Sequence, residues 1–196
     1  MNSGSAEGTA QLWNERTRII YRCDLSVIYN RKRERFFVLC DRWAKCLSLV
    51  AGGAAFSSFL DTTTSKSVAG VLVSAVTLPS LLFGWTDRAR AHNELAQSYL
   101  HLLSEISRTG RRQFTEADLD EWAAQLALIE KNEPAILSAV LASAHNRLAS
   151  QQNEPDMIIP MSFRQKLLAH FFDTHIEWHD KSGKNIGMIP GWIDEE

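Results

Sequence analysis

The sequence predicts an all-α membrane protein in which a two-transmembrane helical hairpin is joined to a cytosolic helical bundle. Three observations carry this prediction: a long uncharged run, a second apolar run just upstream of it, and helical spacing of the apolar residues elsewhere. The long run, from Ser67 to Thr86, has twenty residues and lies between Lys66 and Asp87. At about 1.5 Å per residue, a helix of that length covers roughly 30 Å, the thickness of the hydrocarbon core of a bilayer.

The second apolar run extends from Cys46 to Leu60 and is separated from the first by the polar loop Asp61 to Lys66. Its fifteen uncharged residues are too few for a full crossing. We therefore expect Arg42, Trp43 and Lys45 to complete the span by extending toward the interface. Two apolar runs joined by so short a loop predict a hairpin.

A water-soluble protein whose buried helical pair is rich in small residues is the alternative to this hairpin. Gly52, Gly53 and Gly70 lie inside the predicted helices. Glycine costs a helix in water about 1 kcal/mol relative to alanine, whereas small residues are common where membrane helices approach each other closely. The glycines therefore favour the bilayer.

Composition alone would indicate an ordinary soluble domain, because the 196 residues are 45% hydrophobic and carry a net charge of -2. The apolar residues are concentrated in one segment, however, and both flanks are charged. Cys23, Cys40 and Cys46 are odd in number and show no metal-ligand pairing, which is typical of a reducing compartment. The pattern divides the chain into a disordered amino terminus, a basic amphipathic helix, the hairpin, the bundle and an amphipathic tail, at residues 1–10, 11–45, 46–86, 87–150 and 151–196.

Basic residues flank the hairpin on both sides, whereas its connecting loop carries one acid and one lysine. Positive flanks stay on the cytoplasmic side, so both termini should be cytosolic and the chain should be a multi-pass protein of the bacterial inner membrane. A basic stretch next to a span predicts contact with anionic lipid headgroups, and no stacking platform or recognition fold supports nucleic acid as the partner. The predicted headgroup contacts are Arg31, Lys32, Arg33, Arg35, Arg42 and Lys45.

Beyond the hairpin, apolar residues recur at helical spacing and predict a bundle. One stripe comprises Leu95, Tyr99, Leu102 and Ile106 and ends near Gly110, and the next comprises Leu119, Trp122, Leu126 and Ile129 after a cap-like Thr115 and Asp118. Pro134 suits the first turn of a further helix. Because no glycine or proline lies between Gly84 and Ile106, we expect the second span to continue unbroken through Trp85 into the helix from Asp87 to Ile106.

Several short sequences around the hairpin point to a known family. They are RKRERFF at 31–37, TDRARAHNELAQSYLHLLSEI at 86–106, IEKNEP at 129–134, and His145-Asn146 followed by Leu148. In this order, over roughly residues 12–175, they resemble the SLATT family, the SMODS and SLOG-associating two-transmembrane effectors of bacterial conflict systems. The resemblance implies a homo-oligomeric effector that permeabilises the inner membrane on a cytosolic cue. It also implies a nucleotide-second-messenger synthase or a sensor protein, encoded nearby, as a partner.

Small or hydroxylated residues align on one face of each predicted span. They are Ser67, Gly70, Ser74 and Thr77 on the second span and Ser48, Ala51, Ala55 and Ser58 on the first. These faces fit the lining of a narrow pore in an oligomer, and they equally fit packing of one helix against another. Pro79 removes a backbone donor, so it predicts a kink in the second span.

The chain shows no pattern typical of an enzyme, and we expect no catalytic residue, no cofactor and no metal. His170, Asp173, His175, His179 and Asp180 cluster near the carboxyl end, but an amphipathic tail explains them better than a metal site does. His92 and His145 lie beside apolar stripes, which favours hydrogen bonding within the bundle. The alternative to a permeabilising effector is a non-conducting membrane-anchored scaffold or adaptor.

Overall fold

The computed structural model describes residues 3–58, 84–111, 113–173 and 176. Within these residues every regular element is helical, so the helical part of the prediction is confirmed. The α-helices are α1 (Ser3–Ser58), α2 (Trp85–Arg108), α3 (Glu116–Glu130), α4 (Ser138–Gln151) and α5 (Phe163–Leu168), and a 3-10 turn spans Pro155–Met157.

The predicted transmembrane hairpin is wrong. Over the part of the chain that the structure describes, every helix falls short of the combined length and apolar character that crossing a bilayer requires. The uncharged end of α1, from Cys46 to Ser58, covers only about 20 Å, whereas the hydrocarbon core is roughly 30 Å thick. The finding also contradicts the predicted multi-pass location in the inner membrane with both termini cytosolic. Residues 59–83, which hold most of the second predicted span, lie outside the described residues.

The predicted unbroken helix through Gly84 is also wrong. Helix α2 begins at Trp85, and Gly84 precedes it with a φ of +53°. The carbonyl of Gly84 accepts the N–H of Arg88 at 3.0 Å, which is the first hydrogen bond of the helix. Because this left-handed conformation is open to glycine without steric cost, Gly84 is a start signal for α2 rather than a point inside a longer helix.

The described helices form two compact units, one made of Met1–Lys32 with Glu94–Glu196 and the other of Arg33–Asn93. The first unit contains two apolar cores, and α1 contributes to both. Ile19 and Cys23 pack with the buried residues of α2 and α3, whereas Leu25 and Tyr29 pack with those of α4. The core that α1 shares with α2 and α3 contains Tyr99, Leu102, Ile106, Leu119, Trp122 and Leu126, and Ile129 packs against it. The predicted stripes of these two helices are therefore confirmed except at Leu95, which is half-buried and lies outside this core.

The capping, glycine and proline signals in the sequence predict some ends of the bundle helices correctly but not all of them. The hydroxyl of Thr115 accepts from the backbone N–H of Asp118, whose carboxylate accepts from the N–H of Thr115, so the predicted cap is a full capping box. Gly110 lies just after α2 with a φ of +79°, as expected of a helix stop. Pro134 does not begin a helix, because α4 begins at Ser138. The residues after Pro134 are held by tertiary contacts instead.

We expect the substitution Thr115→Ala to lower the free energy of unfolding by about 1 kcal/mol, because it removes the hydroxyl that accepts the first-turn N–H of α3. Chemical denaturation of parent and variant measures the change. The control is Ser107→Ala near the end of α2, where an exposed hydroxyl only donates back to the carbonyl of Leu103. Equal stabilities of parent and Thr115→Ala would contradict this role of the cap.

Candidate functional site

A stripe of large apolar side chains is exposed on α1 in the second compact unit. Leu39, Trp43, Leu47 and Val50 follow one another at spacings of four, four and three, which places them on one face of the helix. Their exposed fractions are 53, 61, 50 and 70%. Phe37 and Ala44, in contrast, are buried. We call these four residues the α1 apolar stripe.

Basic side chains accompany the stripe. Arg35 and Arg42 are both exposed and lie seven residues apart, so they share one side of α1. At about 100° per residue, that side is roughly a quarter turn from the stripe. Lys45 is also exposed, and its Nζ pairs with Asp41 at 2.6 Å. The Asp41 carboxylate accepts a further hydrogen bond from the hydroxyl of Thr86 at 3.1 Å, and together these hydrogen bonds keep its pKa below the usual range.

The other predicted headgroup contacts are at least partly buried. The Nζ of Lys32 donates to the hydroxyl of Ser143 at 2.7 Å in the first unit. In the second unit, the guanidinium carbon of Arg33 lies 4.6 Å from the centre of the Phe37 ring. Arg31 is half-buried. The structure therefore exposes Arg35, Arg42 and Lys45 and holds Lys32 and Arg33 against side chains of the same chain.

His92 of α2 fixes the buried side of α1 in the second unit. Its ring stacks on that of Phe37, with centroids 5.6 Å apart and an angle of 15° between the planes, and only 5% of His92 is exposed. Burial, aided by the positive charges of Arg33 and Arg88, lowers the pKa of His92 to about 4. The imidazole is thus neutral near pH 7, and its contact with α1 is an aromatic one.

Most residues of the predicted pore or packing faces lie outside the residues that the structure describes. Ser67, Gly70, Ser74, Thr77 and the kink residue Pro79 fall in residues that the structure does not describe. Ala51, Ala55 and Ser58 belong to α1, but their side chains are likewise outside it, and Ser48 is half-buried. A pore lining or a packing face at these positions stays a prediction.

A half-buried acid, Glu133, connects three parts of the first unit. The carboxylate of Glu133 accepts hydrogen bonds from the Nδ2 of Asn30 at 2.6 Å and from the hydroxyl of Tyr99 at 3.0 Å. The Nδ2 of Asn30 also donates to the carbonyl of Ser26 at 3.0 Å. Burial raises the pKa of Glu133 above its usual range. The network joins α1, α2 and the segment after α3, and it serves to hold the bundle together.

His145 and Asn146 hold the segment that follows α4. The Nδ1 of His145 lies 2.6 Å from the hydroxyl of Tyr21, and its Nε2 lies 2.9 Å from the carbonyl of Met157. The amide of Asn146 forms two hydrogen bonds of 2.7 Å with the backbone of Ile159. Burial lowers the pKa of His145. The prediction that His145 is a hydrogen-bonding residue of the bundle is confirmed.

The histidine-rich carboxyl end is described only in part. The carboxylate of Asp173 accepts from the N–H of Ser138 at 2.9 Å, so it caps α4. His175, His179 and Asp180 lie outside the described residues. Among the residues that are described, no group of three or more His, Cys, Asp or Glu side chains is placed to hold a metal ion.

Sequence reasoning missed two features of these sites. The first is the α1 apolar stripe. Its spacing is a signal that the sequence contains, but the predicted boundary between the cytosolic helix and the first span divided the stripe between two segments. The second is the role of Glu133, which carried no local signal.

Comparisons with models of known protein families, with curated proteins and with solved structures find no match to this chain. The resemblance to the SLATT family therefore stays a prediction from the quoted motifs.

Proposed function

We propose that this chain is a non-enzymatic effector of a bacterial conflict system, which oligomerises on a lipid membrane and permeabilises it in response to a cytosolic cue. The observation that carries the proposal is the α1 apolar stripe with Arg35 and Arg42 beside it. The resemblance to the SLATT family supplies the biological setting and the partner, a nucleotide-second-messenger synthase or a sensor protein.

The stripe has the composition of a helix that lies in a membrane interface. Such helices expose an apolar face with basic residues at its edge, and tryptophan is enriched at the depth of the headgroups. Trp43 lies within the stripe, and Arg42 is its neighbour in sequence. The apolar face would enter the acyl boundary while the guanidinium groups meet anionic headgroups.

The free energy expected for binding of a single chain to a membrane favours an oligomer as the membrane-bound form. Burying the exposed part of each of the four apolar side chains contributes about 1 kcal/mol, and each arginine contributes about 1 kcal/mol near an anionic surface. A sum of about 6 kcal/mol gives only reversible binding for a single chain. Several linked copies bind far more tightly than one, so an oligomer is the form that would reside on the membrane and disrupt it.

We expect the double variant Trp43→Ser, Leu47→Ser to bind anionic lipid vesicles at least tenfold more weakly than the parent, because it loses about 2 kcal/mol of apolar burial. Co-sedimentation with vesicles of phosphatidylglycerol and phosphatidylcholine measures the binding. The matched control is Leu128→Ser on α3, since Leu128 is 64% exposed, close to the 61% of Trp43, but lies outside the stripe.

Release of a trapped dye from the same vesicles tests permeabilisation. Leakage with the parent and none with the double variant supports the proposal. Binding without leakage under any condition identifies a scaffold or adaptor instead, and equal binding by parent, double variant and control would remove the stripe from the proposal altogether.

A further inference from the structure

A second exposed apolar surface lies on α5 and the residues just after it, within the first unit. Phe163, Leu167 and Phe171 follow one another at spacings of four residues, which places them on one side of the helix and its continuation. Their exposed fractions are 78, 63 and 64%, and the adjoining Phe172 is 63% exposed. We call these four residues the α5 ridge. Each side chain shows more than half of its surface to solvent, so the ridge projects from the bundle.

The other side of α5 is fixed to the bundle. The hydroxyl of Ser162 accepts the N–H of Gln165 at 3.3 Å, and the Gln165 side chain accepts the N–H of Ser162 at 2.8 Å, which is a capping box. Ala169, just after α5, is buried in the core that α1 shares with α4. The bond from the N–H of Ser138 to Asp173 holds the far end of the ridge. The bundle therefore presents the ridge to solvent on a folded support.

Basic residues flank the ridge. Arg164 and Lys166 are both exposed, and at about 100° per residue they lie on opposite sides of the line from Phe163 to Leu167. The sequence from Ile158 to Phe172 contains no acidic residue. Large exposed apolar patches mark contacts with proteins or membranes. Lysine is depleted at protein interfaces, whereas it is attracted to anionic headgroups, so the charges favour a lipid surface.

We propose that the α5 ridge is a second lipid-binding surface, whose apolar side chains enter the acyl boundary of an anionic membrane while Arg164 and Lys166 meet the phosphate groups of the headgroups. Projecting side chains enter a fluid bilayer at any point, whereas a protein partner needs a complementary surface. The inference rests on the membrane binding proposed above for its biological role. It uses none of the residues of the α1 apolar stripe and lies in the other unit.

Co-sedimentation of the full chain with vesicles of phosphatidylglycerol and phosphatidylcholine tests the ridge. We expect the variant Phe163→Ser, Leu167→Ser to bind at least tenfold more weakly than the parent, and Leu167→Ser alone about fivefold more weakly. Both residues are exposed, so the fold should stay intact. Equal affinities of the parent and the double variant would overturn the proposal.

The matched control is Leu128→Ser on α3, which makes the same substitution at a leucine that is 64% exposed. Helix α3 has acidic residues and no basic one between Glu116 and Glu130, so its surface repels anionic headgroups. We expect Leu128→Ser to bind as the parent does. A loss as large as that of Leu167→Ser would show that any exposed leucine contributes equally, and the ridge would have no special role.

The variant Arg164→Gln, Lys166→Gln tests the headgroup contact. Its binding to the anionic vesicles should weaken at least tenfold, while its binding to vesicles of phosphatidylcholine alone should match that of the parent, because the two charges act on anionic lipid. Equal losses on both kinds of vesicle would contradict the headgroup contact.

A second copy of this chain is the other partner to be tested. Sedimentation velocity without lipid should give the same association state for the parent and for Phe163→Ser, Leu167→Ser. A variant that dissociates into single chains and still binds vesicles as the parent does would identify the ridge as an interface between copies and overturn the proposal.

The background Trp43→Ser, Leu47→Ser separates the ridge from the stripe. Its residual vesicle binding should fall further when the two ridge substitutions are added. If the stripe variant binds as the parent does and the ridge variant does not, the stripe proposal alone fails, and the opposite result removes only the ridge.

Discussion

Replacing Glu133 by leucine is expected to lower the free energy of unfolding by about 3 kcal/mol, as measured by chemical denaturation at pH 7. The Glu133 carboxylate is the acceptor for the Nδ2 of Asn30 and for the hydroxyl of Tyr99, both of which are largely buried. Leucine fills a similar volume but accepts no hydrogen bond. Two donors are then left in the core, and each buried donor without a partner costs about 1 to 3 kcal/mol.

The substitution Glu133→Gln separates hydrogen bonding from charge. The glutamine oxygen can accept from Asn30 and its NH2 can donate to the Tyr99 hydroxyl, because a hydroxyl both donates and accepts. We therefore expect a loss below about 1 kcal/mol, since the carboxylate that burial disfavours is also removed. A glutamine variant as unstable as the leucine variant would show that the network depends on the charge of Glu133 and not on its two hydrogen bonds.

The helices that pack the first unit were predictable because their apolar residues have a regular period. Tyr99, Leu102 and Ile106 are buried as their spacing predicts, and the Thr115 cap is set by residues three apart. The Glu133 network has no such local signal. Its partner Asn30 is 103 residues away in the sequence, and a charged residue next to a proline is more often at a surface.

The wrong predictions share one physical cause, which is that composition over a short window does not fix tertiary contacts. Pro134 was expected to begin a helix, but the N–H of Leu137 donates to the hydroxyl of Tyr29 and that of Ser138 donates to Asp173, so the start of α4 is set by contacts distant in sequence. The transmembrane prediction relied on the small apolar residues after Lys45, and in the described part of the chain these form only the end of α1.

The residue types of the candidate site were predictable from the sequence, but the directions in which their side chains point in the fold were not. The basic cluster from Arg31 to Arg35 is contiguous in sequence, yet successive residues of a helix point about 100° apart. Lys32 therefore reaches Ser143 while Arg35 is exposed.

Lowering the pH from 7 to 4 is expected to remove about 3 kcal/mol of stability through His92 alone. The pKa of His92 falls from 6.5 to about 4 on folding, because burial and then the charges of Arg33 and Arg88 disfavour the imidazolium, while Glu34 opposes them weakly. The folded state thus binds fewer protons than the unfolded state between these values. The contribution is present above pH 6.5 and is lost as the pH falls through about 4.

The variant His92→Phe tests this because phenylalanine preserves the stack on Phe37 and cannot be protonated. Urea denaturation of parent and variant at pH 7, 5.5 and 4 gives two stability curves, and His145 and the carboxylates contribute equally to both. We expect the parent to lose about 3 kcal/mol more than the variant over this range. Parallel curves would mean that the imidazole of His92 gains its proton as easily in the folded protein as in water, and that burial between Phe37 and the two arginines does not keep it neutral.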